Sequence, residues 1–86
     1  MTNAGGPGIL AVDACVASGL EVVEFTAATR QRLRAFLRPE ANITNPVDMI
    51  ASAGPDEYRR TVETVLSADE VDGLIILYTP VDPRTA

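Results

Sequence analysis

The stretch Asn3-Ala4-Gly5-Gly6-Pro7-Gly8 is where this sequence offers chemistry. Glycine reaches positive φ and lets a backbone approach a ligand with no Cβ in the way. A helix that starts directly after such a turn presents unpaired N–H groups and the positive end of its dipole. Together these make a site for an anion, phosphate above all. Asn3 would add a side-chain amide, so Asn3, Gly5, Gly6, Pro7 and Gly8 form the candidate phosphate-binding set. A nucleotide P-loop is excluded, because no Gly-Lys-Ser/Thr follows. A dinucleotide fingerprint stays open. Gly6 and Gly8 match its first two glycines, Ala11 takes the third place, and Glu24 stands about where a ribose-binding acid would. Against it, no strand precedes the turn, and Pro7 is unusual between the glycines. A plain tight strand-to-helix turn accounts for the same residues.

Other reactive side chains are sparse. Histidine is absent and Cys15 is the sole cysteine, so no intramolecular disulfide or multi-cysteine zinc site exists. Cys15 stands in an Ala/Val-rich stretch and reads as a buried packing thiol. Asp13, Asp48, Asp72 and Asp82 are scattered and form no acidic cluster at a strand end, so no metal site is assigned. The net charge of −5 repels a nucleic-acid backbone, which excludes nucleic acid as a partner. All seven positive charges are Arg. Arg30, Arg32, Arg34 and Arg38 cluster on one helix, where a solvated face is the reading. The longest apolar run, Leu74–Tyr78, is too short to span a bilayer. With no signal peptide either, a cytoplasmic location and no membrane partner are expected.

Several elements must position the turn. Residues 7–18 read as a helix with Pro7 in its first turn, Ile9, Val12 and Val16 on one stripe, and Gly19 as its stop. LEVVEF at 20–25 reads as a short strand. Thr26 reads as the N-cap of a helix over 27–37, with Leu33, Phe36 and Leu37 on its apolar face. A long connection spans 39–54. Pro55 then starts a third helix, fading near Ala68, whose stripe is Tyr58, Val62, Val65 and Leu66. VDGLIILYT at 71–79 reads as a parallel strand covered on both faces, because its apolar run does not alternate.

Alternating helices and strands predict one α/β domain over 1–86. Its expected fold is an open parallel sheet with helices on both faces. The sheet is expected to be incomplete, with a first strand belonging before Thr2 and further units belonging after the last residue. Exposed strand edges and apolar faces then predict a homo-oligomer, a partner chain or partial unfolding.

The order of "TNAGGPGILAVDAC", "GLEVVEF", "TRQRLRAFL", "NPVDM" and "EYRRTVETVLSADEVDGLIILYTP" resembles the NDP-forming acyl-CoA synthetases, relatives of succinyl-CoA synthetase. The part resembled is the second of their two flavodoxin-like ligase domains, and the likeness covers nearly the whole chain. T-N-x-G-G-P-G at 2–8 with N-P-V-D at 45–48 carries it and displaces the dinucleotide reading. The resemblance implies interconversion of an acyl-CoA, NDP and phosphate with a free acid, CoA and NTP. It implies a phosphohistidine that carries the phosphoryl group, and two helices whose N-termini face that phosphate. The helix opened by Gly5, Gly6, Pro7 and Gly8 would be one of them, and Asn45 and Asp48 would lie in a loop near the site. The parent enzyme is expected to use CoA, ATP/ADP and Mg.

The same resemblance places the histidine on the neighbouring ligase domain, and this chain has none. The CoA-binding and ATP-grasp domains are also outside it. No catalytic residue is therefore assigned within these 86 residues. Taken alone, the chain is expected to bind no cofactor and to run no reaction, as a piece or a truncated reading frame of the enzyme. Its expected partners are the other synthetase domains and phosphate or phosphohistidine. Two alternatives stand beside this. One is a regulatory synthetase-like domain fused to a GNAT acetyltransferase. The other is an unrelated flavodoxin-like or receiver-like α/β module.

Overall fold

The computed structural model describes residues 1–80. It holds three helices: α1 over Gly5–Ala17, α2 over Ala27–Arg34 and α3 over Pro55–Leu66. Each coincides with an expected helix, with ends shifted by a few residues. α1 starts two residues before Pro7, so Pro7 lies in the first turn, where a missing N–H costs nothing. It stops at Gly19, whose φ of 84° is left-handed. There Leu20 N donates to Cys15 O at 2.9 Å and Gly19 N to Val16 O at 3.1 Å, the paired bonds of a Schellman stop.

Thr26 caps α2 by accepting from Thr29 N at 3.3 Å. Glu70, from beyond α3, reinforces that start. Its Oε2 accepts from Thr26 N at 2.8 Å and from Thr29 Oγ1 at 2.8 Å. Those bonds, the Thr26 N–H first, hold the Glu70 carboxyl down at about 2. α3 opens at Gly54 with Pro55, Asp56 and Glu57 in its first turn, where acidic groups suit the helix dipole.

Between α2 and α3 lies the core. Leu33 and Leu37 from the α2 segment meet Val65 of α3, with Phe25, Met1, Val47 and Met49 filling the rest. Leu66 was expected on the apolar stripe but is exposed, and Thr61 and Thr64 take the buried face instead. Thr61 is tolerated there because its hydroxyl donates to Glu57 O at 2.7 Å. The α2 arginines are not merely solvated. Arg30 donates to Phe25 O, Arg34 to Ala41 O at 3.0 Å and Arg32 to Ser67 Oγ at 3.1 Å.

The expected open parallel sheet is not formed among the described residues. One transverse rung replaces it: Asn42 bridges Asp48, Asp48 bridges Thr2, and Thr2 bridges Leu77, the last two in parallel. Thr2 N donates to Val47 O and Met49 N to Thr2 O, both at 2.9 Å. Leu77 N donates to Met1 O at 2.9 Å. The 20–25 segment, expected as a strand, has no ladder partner among the described residues. Its carbonyls at Val23 and Phe25 go instead to the side chains of Asn45 and Arg30. A strand is made by its neighbour's main chain, and here side chains satisfy the carbonyls. Likewise, among the described residues 71–79 is paired only near Met1–Asn3.

α1 stands apart from this core. Gly8 is its one buried residue, while Ile9, Leu10 and Val16 are exposed. Cys15, expected to be buried, is consequently half-exposed. No helix among the described residues is long and apolar enough to cross a membrane.

Candidate functional site

The start of α1 is built from three short segments that converge on Thr2. Thr2 is fully buried, and its Oγ1 accepts from Ala4 N at 3.0 Å. That bond closes a tight turn and leaves Ala4 extended as the N-cap, with no side-chain cap of its own. The glycines then divide by what surrounds them. A Cβ on Gly8 would meet Thr2 Cγ2 at 3.0 Å, so Gly8 is what lets α1 approach the rung. On Gly5 a Cβ would lie 3.2 Å from Asp48 Oδ2. Around Gly6 there is open space.

Gly5, Gly6 and Pro7 are exposed. Gly8 N reaches back to Ala4 O at 3.4 Å, and Pro7 has no N–H. The N–H groups of Gly5 and Gly6 have no acceptor among the described residues, so they are the donors this helix end presents to solvent.

Asn3 is buried, and its amide is already engaged. Nδ2 donates to Thr79 O at 2.7 Å and Oδ1 accepts from Thr79 N at 2.8 Å. The two N-P-V-D residues go to different places. Asp48 reaches the turn, as its closeness to Gly5 shows, and its Oδ1 accepts from Ile50 N at 2.9 Å. That hydrogen bond goes with a left-handed Ile50, φ 65°, a conformation costly for a β-branched residue. Asn45, after which the peptide bond to Pro46 is cis, instead donates to Val23 O at 3.0 Å and ties down the 20–25 segment.

Sequence reasoning missed Tyr58 as a neighbour of this region. Its hydroxyl is buried without a hydrogen-bond partner among the described residues. Burial pushes its pKa up, and the charges of Tyr78 and Asp48 push the same way. The Tyr58 and Tyr78 rings meet edge to face, with centroids 5.7 Å apart. The only signal for Tyr58 in the sequence was its place on an apolar stripe, which says nothing of the hydroxyl.

Chemically, the arrangement offers two backbone donors at a positive helix end beside one carboxylate. It can hold an anion through the main chain. No three His, Cys, Asp or Glu side chains converge on a possible metal position among the described residues.

A family model described as the Ligase-CoA domain matches residues 1–83. The α subunit of an ADP-forming acetate–CoA ligase II from Pyrococcus furiosus is 47% identical over 77 residues, 90% of this chain and 17% of that protein. An ADP-forming acetate–CoA ligase I from Archaeoglobus fulgidus is 35% identical over 80 residues, 93% of this chain and 12% of that protein. In structure, the chain is similar to PH0766 from Pyrococcus horikoshii OT3. The TM-score is 0.87 at 46% identity, covering 91% of this chain and 18% of that one. The chain thus spans under a fifth of the length of each relative it matches here.

Proposed function

The chain belongs to the Ligase-CoA domain family, and on that premise we propose that it serves as part of an NDP-forming acid–CoA ligase. Its contribution is a helix start that steadies the phosphoryl group of a phosphohistidine carried by a neighbouring domain. The Gly5 and Gly6 N–H groups support this role, being without acceptors among the described residues at the exposed, positive end of α1. Gly8 and Thr2 seat the helix, and Asn3 braces the turn through Thr79. Asp48 opposes an anion at Gly5 and so sets how tightly one is held. CoA, ATP/ADP and Mg are held, in this reading, by domains outside the 86 residues, as is the histidine.

The test is a titration of the chain with inorganic phosphate, followed by amide NMR. The expected result is a saturable shift of the Gly5 and Gly6 amides with little change elsewhere. Shifts spread evenly over the backbone, or none at millimolar phosphate, would overturn the reading.

A further inference from the structure

Charge is unevenly spread along this chain. Residues 26–39, which hold α2 and the turn after it, carry four arginines and no acid in a chain of net charge −5. None of the four is ion-paired among the described residues. Glu70 does touch α2, but it bonds Thr26 N and Thr29 Oγ1 at the helix start and no guanidinium. Three of the four, Arg30, Arg34 and Arg38, follow one another at four-residue intervals. That spacing puts Arg30 and Arg34 on one flank of α2, about 6 Å apart along its axis, with Arg38 just past the helix end.

The row is held in place. Arg34 Nη1 donates to Arg38 O at 2.6 Å, and its Nη2 donates to Ala41 O at 3.0 Å. Arg30 Nη1 donates to Phe25 O. A guanidinium has five N–H donors, so each keeps several to spare. Arg34 and Arg38 are exposed. Ala27 and Ala35, exposed in the neighbouring row, leave room for a partner's main chain to come close.

We infer that this flank of α2 docks an extended, acidic segment of a partner polypeptide. The segment carries a carboxylate at every second residue. In an extended chain such side chains share a face and stand about 6.6 Å apart, close to the spacing of the arginine row. Arginine's planar fork takes a carboxylate with two N–H bonds. Bonds to main-chain carbonyls already hold Arg30 and Arg34, so little side-chain freedom is lost on docking. A nucleic-acid strand fits less well, since single strands are held by stacking on aromatic rings as well as by charge. Phe36, the one aromatic of residues 26–39, is half-buried with Arg60 over its ring, 4.6 Å from the centroid. The inference stands independently of the phosphate reading, since the α1 donors take no part in it.

The experiment uses a fluorescent peptide, Glu-Ser-Glu-Ser-Glu, blocked at both ends and titrated with the 86-residue chain by anisotropy at low ionic strength. Saturable binding is expected, and added salt should weaken it. Arg38→Gln should weaken it about threefold to fivefold, the scale of an exposed ion pair. The Arg38 side chain has no hydrogen-bond partner among the described residues, so this variant keeps the fold, which a thermal melt checks. Arg59→Gln, which removes a cation of α3 instead, should leave binding unchanged. Equal losses in the two variants would overturn the inference, as would equal affinity for Glu-Glu-Glu-Ser-Ser or no binding at millimolar peptide. Tighter binding of an oligothymidylate would also overturn it, assigning the row to nucleic acid. So would a concentration-dependent dimer that excludes the peptide, which assigns the row to a second copy.

Discussion

The side chain of Asn3 pairs with the backbone of Thr79 as a strand residue would, although 76 residues separate them in sequence. Its amide donates to the Thr79 carbonyl and accepts from the Thr79 N–H, extending the Met1–Leu77 ladder by one side chain. Replacing Asn3 with Asp removes the donor and aims a carboxylate at a carbonyl. We expect Asn3→Asp to cost about 1–3 kcal/mol of stability, the scale of a buried unsatisfied polar group, read as a shifted urea midpoint.

The glycines should separate in their effect on stability. Gly8→Ala places a Cβ 3.0 Å from Thr2 Cγ2, against a fully buried side chain, and should destabilise by about 1–3 kcal/mol. Gly6→Ala meets open space and gains helix propensity, so its Tm should hold or rise. Thermal melts of the two variants side by side check this. Equal losses would show that Gly8 does not set the approach of α1.

Asp48→Asn should strengthen phosphate binding at the α1 start by about threefold to tenfold, because a like charge beside Gly5 is removed. The Asn side chain can still accept from Ile50 N, so the local turn is kept. Phosphate titrations of the two proteins at matched ionic strength provide the comparison. Unchanged affinity would mean that the anion sits elsewhere.

Glu70 gives a pH dependence with a definite sign. Its folded-state carboxyl is held at about 2, below the usual 4.5. The stabilisation is therefore complete above pH 4.5 and is lost as pH falls toward about 2. Asp56, lowered by its bond to Arg59, titrates in the same direction. The informative quantity is thus the difference between the protein and Glu70→Gln in chemical melts at pH 5, 3 and 2. That difference should shrink across the window, and a constant offset would contradict the assignment.

Local signals made the helices legible. Gly19 stops α1, Thr26 caps α2 and Pro55 opens α3, each acting through neighbours within a few residues. The family and the glycine turn were legible for the same reason, since T-N-x-G-G-P-G and N-P-V-D are short. What sequence could not give was pairing. LEVVEF has the composition of a strand, yet its carbonyls at Val23 and Phe25 end on Asn45 and Arg30, because ladders depend on a neighbour's main chain. Asn3 looked free to meet a ligand, and only the fold shows Thr79 against it. Asp48 and Asn45 were grouped by motif, but the chain bends between them, and the fold sends them to Gly5 and Val23.

α1 is anchored at one end. Gly8 is buried against Thr2, whereas the helix beyond it presents Ile9, Leu10 and Val16 to solvent. The N–H groups of Gly5 and Gly6 lie within one turn of that contact, so the direction in which they face is set by how Gly8 seats on Thr2 rather than by the exposed length of α1.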